Sequence, residues 1–161
     1  MKYSIYCDMD GVLVDFNKGY FDLTGIDLKI DKPKSEKEFW KPIHQNELEF
    51  WTNLEWMPDG KQLWNHIKDH KPILLSAPSG NPESRMGKHR WVYRELPLTG
   101  LLLQSAKTKR KHAAPNRILI DDREDTIAGW IEDGGEGIVH TSAEETIKIL
   151  KEKYKIFQKK F

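Results

Sequence analysis

Tyr3-Ser4-Ile5-Tyr6-Cys7-Asp8-Met9-Asp10-Gly11-Val12-Leu13-Val14-Asp15-Phe16 is an apolar run that ends in Asp-x-Asp-Gly. Such a run reads as a strand buried on both faces, the kind that parallel sheets contain. Side chains two apart on a strand share a face, so Asp8 and Asp10 are expected side by side at its carboxyl end. Two anions held that close call for a cation.

Short apolar runs recur downstream of this strand, which is centred on Ile5 to Cys7. They are Pro72 to Leu75, Leu101 to Leu103, Arg117 to Ile120 and Gly137 to His140, with spacers long enough for helices. Strands alternating with helical spacers imply crossover units, hence an α/β fold with a doubly wound parallel sheet covered on both faces. The helices carry their own marks. Leu63, Trp64 and Ile67 share one face of Lys61 to Asp69, and Pro82 sits where a first turn would begin ahead of Trp91 and Leu96. Asp125 is expected to cap a helix toward Asp133 that Gly134-Gly135 ends, and Ser142-Ala143-Glu144-Glu145 is a capping box before a last helix with Ile147 and Leu150 inward. The Lys-rich stretch Lys151 to Lys160 reads as a solvated helix face.

Between Asn17 and Trp56 the rhythm breaks: the segment is aromatic and charged and holds no convincing strand. An insertion there lies over the carboxyl end of the sheet, where open α/β sheets bind ligands. The expected division is an α/β core of residues 1–16 and 57–161 with a small helical cap of residues 17–56 after the first strand. Trp51, Trp64, Trp91 and Trp130 are assigned to packing.

A chain of 161 residues is the size of one ordinary domain with room for such an insertion. Charged residues make up 32%, yet Lys+Arg (26) and Asp+Glu (25) nearly cancel, which argues against a nucleic-acid polymer or a membrane surface as partner. Cys7 is the single cysteine, so no internal disulfide forms, and a buried thiol fits a reducing, cytoplasmic setting. No apolar run reaches the roughly 18 residues of a membrane span, and the early first strand leaves no room for a signal peptide.

Acidic, hydroxyl and basic groups recur at the strand ends: Asp8 with Asp10, Ser76, a cluster of Lys107, Lys109 and Lys111, then Asp121 with Asp122. In one parallel sheet these converge, and the carboxylates would repel unless a cation and a lysine neutralised them. Oxygen ligands without His or Cys favour a hard cation, Mg²⁺ shared with a phosphate above all. His66 and His70 stand one helical turn apart, but no Glu follows His66 and no third ligand is near, so the pair reads as an exposed helix face and not as a zinc site. No Gly-rich loop with Lys-Ser/Thr is present, and the twelfth position counted from Asp8 is Gly19, which excludes an EF-hand.

Asp8-Met9-Asp10-Gly11-Val12-Leu13, Ser76, a downstream lysine and Asp121-Asp122 resemble, in order and strand context, the four motifs of the haloacid dehalogenase superfamily of phosphohydrolases. DMDGVLVDF, Phe39-Trp40, LEWMPDG, LLSAP, KHRWV and ILIDDRED further resemble segments of the 5'(3')-deoxyribonucleotidases of phage and bacterial type. The resemblance spans nearly the whole chain, although between Asn17 and Glu49 it rests on Phe39-Trp40 alone. It implies a Rossmann-like core of the haloacid dehalogenase type.

By that resemblance Asp8 is the nucleophile, Asp10 the general acid and base, and Ser76 a hydrogen-bond donor to a phosphoryl oxygen. Mg²⁺ would be held by the Asp8 carboxylate, the Asp10 backbone carbonyl and Asp122, with Asp121 in support. Lys109, followed by His112-Ala113-Ala114-Pro115-Asn116, fits the phage-type spacing of the charge-balancing lysine better than Lys107 does. Phe16, Phe39 and Trp40 match positions that pack on the sugar and base, and Lys88 matches one that contacts substrate. Ala77 stands where the animal enzymes place a serine. The expected activity is Mg²⁺-dependent hydrolysis of nucleoside 5'-monophosphates, pyrimidine deoxyribonucleotides foremost, through an aspartyl-phosphate. Another small phosphomonoester is the nearest alternative, and a homodimer is left open. A phosphoacceptor signalling domain uses similar groups but carries the adjacent acidic pair first, whereas here it comes last; a silent nucleotide-binding protein is disfavoured by the complete set of motif residues.

Overall fold

The computed structural model describes residues 2–160. Five strands form one parallel sheet: β1 Ser4–Cys7, β2 Ile73–Ser76, β3 Gly100–Leu103, β4 Arg117–Asp121 and β5 Glu136–Val139. Their order is β3-β2-β1-β4-β5, so the chain winds outward from β1 to one edge, then restarts at β4 on the other side. This reversal at the centre is the order of the first five strands of a Rossmann-type sheet, and it opens a crevice beyond the carboxyl ends of β1 and β4. Register ties the centre together, with Cys7 opposite both Leu74 and Ile120.

Alternation along the strands builds two cores. Ile5, Cys7, Leu74, Ile118, Ile120 and Ile138 face one side, where they meet Leu63 and Ile67 of α4 (Gly60–Ile67), Trp91 of α5 (Pro82–Glu95) and Leu150 of α7 (Ala143–Tyr154). Tyr6, Leu75 and Leu119 face the other side, against Ile127 and Trp130 of α6 (Glu124–Glu132). A period of two, with both phases apolar, is the pattern of a sheet buried on both faces. Trp51, Trp91 and Trp130 are buried, while Trp64 is half-buried against the first core.

Strand limits move by a residue or so from the sequence reading: Pro72 and His140 fall outside the strands, while Gly100, Asp121 and Glu136 lie within them. The α6 cap also differs. Arg123 is the N-cap residue and Asp125 lies in the first turn, while the Asp121 carboxylate accepts from the Arg123 backbone N–H at 3.0 Å. The final helix stops at Tyr154, since Lys155 turns left-handed at φ 57° and its N–H closes on Lys151. Residues 155–160 therefore form a docked tail in place of the expected solvated helix. Ile156 is buried there, and the tail is held by His66 Nε2 to the Ile156 carbonyl (3.0 Å) and His70 Nε2 to the Phe157 carbonyl (2.7 Å). His66 is thus buried, not exposed.

After β1 the chain makes a tight turn in which the Met9 carbonyl accepts from the N–H groups of Val12, Leu13 and Val14. It then leaves for a helical cap of α1 Phe16–Thr24, α2 Glu36–Gln45 and α3 Glu47–Thr52. Each of the first two helices has a side-chain cap, Asp15 accepting from Lys18 N–H and Ser35 from Glu38 N–H. The chain returns beside its exit, with Asp15 N–H donating to the Glu55 carbonyl (2.8 Å) and Met57 N–H to the Leu13 carbonyl (2.7 Å). Among the described residues no helix is long and apolar enough to cross a membrane.

Candidate active site

Asp8 follows β1 directly, and its N–H donates to the Ile120 carbonyl (2.9 Å), which fixes the residue at the mouth of the crevice. Because β1 ends at Cys7, Asp8 and Asp10 do not continue one strand face as the alternation implied. After the turn at Met9 the two line the same cavity with different partners, Asp8 pairing with Lys109 and Asp10 with Lys88. Asp121, at the end of β4, is fully buried, and Asp122 opens onto the cavity. Asp8, Asp121 and Asp122 each place one carboxylate oxygen within 4.8 Å of the others. Gly11 permits this spacing. Its φ of 83° is left-handed, and a Cβ there would stand 2.2 Å from Asp122 Oδ2.

Two buried lysines oppose these acids. Lys109 donates to Asp8 Oδ1 at 3.0 Å and to Asp121 Oδ2 at 2.9 Å. It reaches them because Ala106–His112 is a 3₁₀ helix in which Lys109 turns inward, whereas Lys107 and Lys111 are exposed. Lys88 comes from α5, is 2% exposed, and donates to Asp10 Oδ2 and Ser76 Oγ at 2.9 Å each. Its ammonium also lies 4.6 Å from the Trp51 ring centroid.

Burial pushes the Asp8 carboxyl well above the ordinary range, Lys109 pulls it down, and the carboxylates of Asp121, Asp10 and Asp122 push it up again. Asp122 is raised by burial of its carboxyl and by Asp121. Burial would lower Lys109, but Asp8 and Asp121 outweigh it and hold the ammonium above the usual lysine range. Burial likewise raises the Cys7 thiol, which leaves it neutral. Four acidic groups (Asp8, Asp10, Asp121, Asp122) meet two ammonium groups (Lys88, Lys109), so basic groups number two fewer than acidic ones. An all-oxygen trio with that deficit fits a hard divalent cation such as Mg²⁺, with Asp8, Asp121 and Asp122 as its carboxylate donors.

Asp8, Asp10, Lys109 and Asp122 form the floor of a cavity of about 780 Å³ under the cap, the size range of small-molecule sites, while Ser76, Lys88 and Asp121 are buried outside its lining. Phe16, Trp40, Trp51 and Ala77 line it, together with Ser79 and Arg123. Phe39 packs behind this wall, its ring 6.0 Å from Phe16, 4.7 Å from Tyr20 and 5.0 Å from Trp40. Lys107 lies on the exposed side of its helix, away from the carboxylates. Trp51, read as packing, is both packed and cavity-lining, and Glu47, which no motif marks, is buried at its side. The i to i+4 spacing of Glu47 and Trp51 is the only local sign of that pair.

No family model and no curated protein matches the chain. Solved structures do. A hydrolase from Streptococcus pneumoniae aligns over 93% of this chain and 99% of its own, with a TM-score of 0.58 and 16% identity. A HAD family hydrolase from Deinococcus radiodurans, with bound phosphate and sodium, aligns over 99% of each chain with a TM-score of 0.57 and 11% identity. A dehalogenase aligns over 99% of this chain and 98% of its own at a TM-score of 0.51 and 12% identity. The chain shares its fold with these proteins.

Proposed function

We propose that this chain, built on the haloacid dehalogenase fold, is a Mg²⁺-dependent phosphatase that hydrolyses nucleoside 5'-monophosphates, pyrimidine deoxyribonucleotides foremost, through an aspartyl-phosphate. One observation carries the reading: Asp8 lies on the cavity floor, paired to Lys109, and joins Asp121 and Asp122 in a trio of carboxylates. Bound there, Mg²⁺ would offset the negative charge of phosphate and carboxylates as they approach.

The chain's own groups account for the rest. Asp8 attacks phosphorus with a carboxylate oxygen, forming a P–O bond to itself while the ester P–O bond breaks. Asp10, with 28% of its side chain exposed and one oxygen held by Lys88, delivers a proton to the leaving sugar oxygen. It then takes the proton from the water that attacks phosphorus and frees Asp8. Lys109 orients Asp8 and favours its ionised form against the effect of burial, and Lys88, buried behind the cavity floor, holds Ser76 Oγ and Asp10 Oδ2 together.

Phe16 and Trp40 offer aromatic faces above the floor, which suits a nucleobase. Asp15, Asp27 and Lys29 also line the cavity and favour the second reading, a small polar phosphomonoester such as a sugar phosphate. The strand order differs from the 2-1-3-4-5 order of flavodoxin-like receiver domains, which counts against a phosphoacceptor domain. Phosphate release from nucleoside 5'- and 3'-monophosphates and sugar phosphates, with and without Mg²⁺, tests the proposal. Activity confined to sugar phosphates would overturn the nucleotide assignment.

A further inference from the structure

Glu47 is the buried acid that the scheme above does not use. It is 6% exposed, and among the described residues no lysine or arginine pairs with it. Four groups converge on its carboxylate instead. Trp51 Nε1–H donates to Oε2 at 3.1 Å; Ser79 Oγ–H and Asn81 Nδ2–H donate to Oε1 at 2.8 and 2.9 Å; His44 Nδ1 lies 3.2 Å from Oε1. Indole, hydroxyl and amide all arrive as donors, and an anion satisfies such a set better than any neutral side chain. A buried carboxylate without a lysine or arginine partner is a costly way to join a cap to a core, so its geometry matters more than its contribution to packing.

Each partner leads to the site. His44 stacks on Trp40, which lines the cavity, with ring centroids 5.9 Å apart and planes 15° apart. Ser79 and Asn81 belong to the turn that begins at Ser76 and ends where α5 starts, and Ser84 braces that turn by donating to the Asn81 carbonyl at 2.8 Å. Trp51 is wedged between Glu47 and α5: a Cβ on Gly87 would stand 2.5 Å from the Trp51 Cβ. The next residue, Lys88, lies over the indole face and gives both of its hydrogen bonds to Asp10 and Ser76. The path from Glu47 to the proton-transfer group is therefore one hydrogen bond, one ring and one ammonium.

We infer that Glu47 is a positioning residue: its carboxylate sets the Trp51 indole over Lys88 and the Ser79–Asn81 turn beside Ser76, and so fixes the hydrogen bonds that Lys88 gives to Asp10 and Ser76. The inference rests on the phosphatase reading. A misplacement of the order of 1 Å at a reacting group can cost roughly a hundredfold in rate, and loosening a group one step removed should cost about tenfold.

The test is a double-mutant cycle on the Mg²⁺-loaded protein, reading kcat, KM and the melting temperature for Glu47→Gln, Trp51→Phe and the double variant. Phe keeps a ring face for Lys88 and loses the indole donor. Each single variant is expected to lower kcat about tenfold with KM changed less than about threefold, and the double variant to do no worse than the poorer single. A wild-type kcat in Glu47→Gln, a rise in KM alone, or multiplicative losses in the double variant would overturn the role. Should Glu47→Gln fail to fold, Trp51→Phe decides alone, by a fall in kcat at steady KM or by none. An inactive wild type sinks the phosphatase reading and this inference with it, whereas an active wild type with unaffected variants sinks only Glu47.

Discussion

Replacing Lys109 by methionine removes the ammonium that bridges Asp8 and Asp121 while keeping much of the side-chain volume. Both carboxylates are nine-tenths or more buried, and Lys109 Nζ lies 3.0 and 2.9 Å from them. Breaking a buried pair by deleting one partner costs about 3–5 kcal/mol, because a charge is left unpaired in a poor dielectric. Asp8 is already pushed toward its neutral form by burial, so proton uptake relieves part of the loss and the lower end, about 3 kcal/mol, applies. For a chain of this size 1 kcal/mol moves the melting point by roughly 2–4 °C, giving a fall of about 6–12 °C. The assay is thermal unfolding by circular dichroism in EDTA and again in saturating Mg²⁺, where the fall should shrink because a cation replaces the lost charge. Lys107→Met, at an exposed position, is the control and should change little. A Lys109→Met melting point in EDTA equal to wild type would refute the reasoning that these carboxylates depend on Lys109.

Three further outcomes follow from the same geometry. Mg²⁺ at about a hundred times its dissociation constant should stabilise the wild type by about 2.7 kcal/mol, and Asp122→Asn should lose most of that gain while melting no lower than wild type in EDTA, since one like charge is gone. Gly87→Ala pushes a methyl group against Trp51 in a tight crossing of α3 and α5, so it should cost about 1–3 kcal/mol in urea unfolding and lower kcat through Lys88. Burial lowers the pKa of His66, so below about pH 6.5 the unfolded chain binds the extra proton more readily, and the stability His66 contributes is complete above that pH and declines as the pH falls. The melting point of wild type should therefore drop more than that of His66→Gln between pH 7.5 and 5.5, and parallel curves would contradict it.

Strands and acidic turns could be read from the sequence because a doubly covered parallel strand is an unbroken apolar run and its functional groups sit just past its end. The different lysine partners of Asp8 and Asp10 could not, since they depend on where β1 stops and on the turn at Met9. Lys109 was distinguishable from Lys107 and Lys111 only by resemblance. What selects it physically is the inward face of a 3₁₀ turn, and local charge says nothing of that. Lys88 hides in a helix whose other basic residues, Arg85, Arg90 and Arg94, are solvent-facing. Long-range contacts account for the remaining surprises. Glu47 owes its burial to Ser79 and Asn81, more than thirty positions away, and His66 owes its burial to a tail ninety positions on.

Covalent capture of the phosphoryl group on Asp8 bears most directly on the account. The Mg²⁺-loaded protein is mixed with a radiolabelled nucleoside 5'-monophosphate, quenched in acid at short times, and assayed for protein-bound label and free phosphate, beside Asp8→Asn. The expected result is label that rises and decays on the wild type as phosphate is released, with neither label nor phosphate from the variant. Phosphate released by Asp8→Asn at the wild-type rate would contradict it.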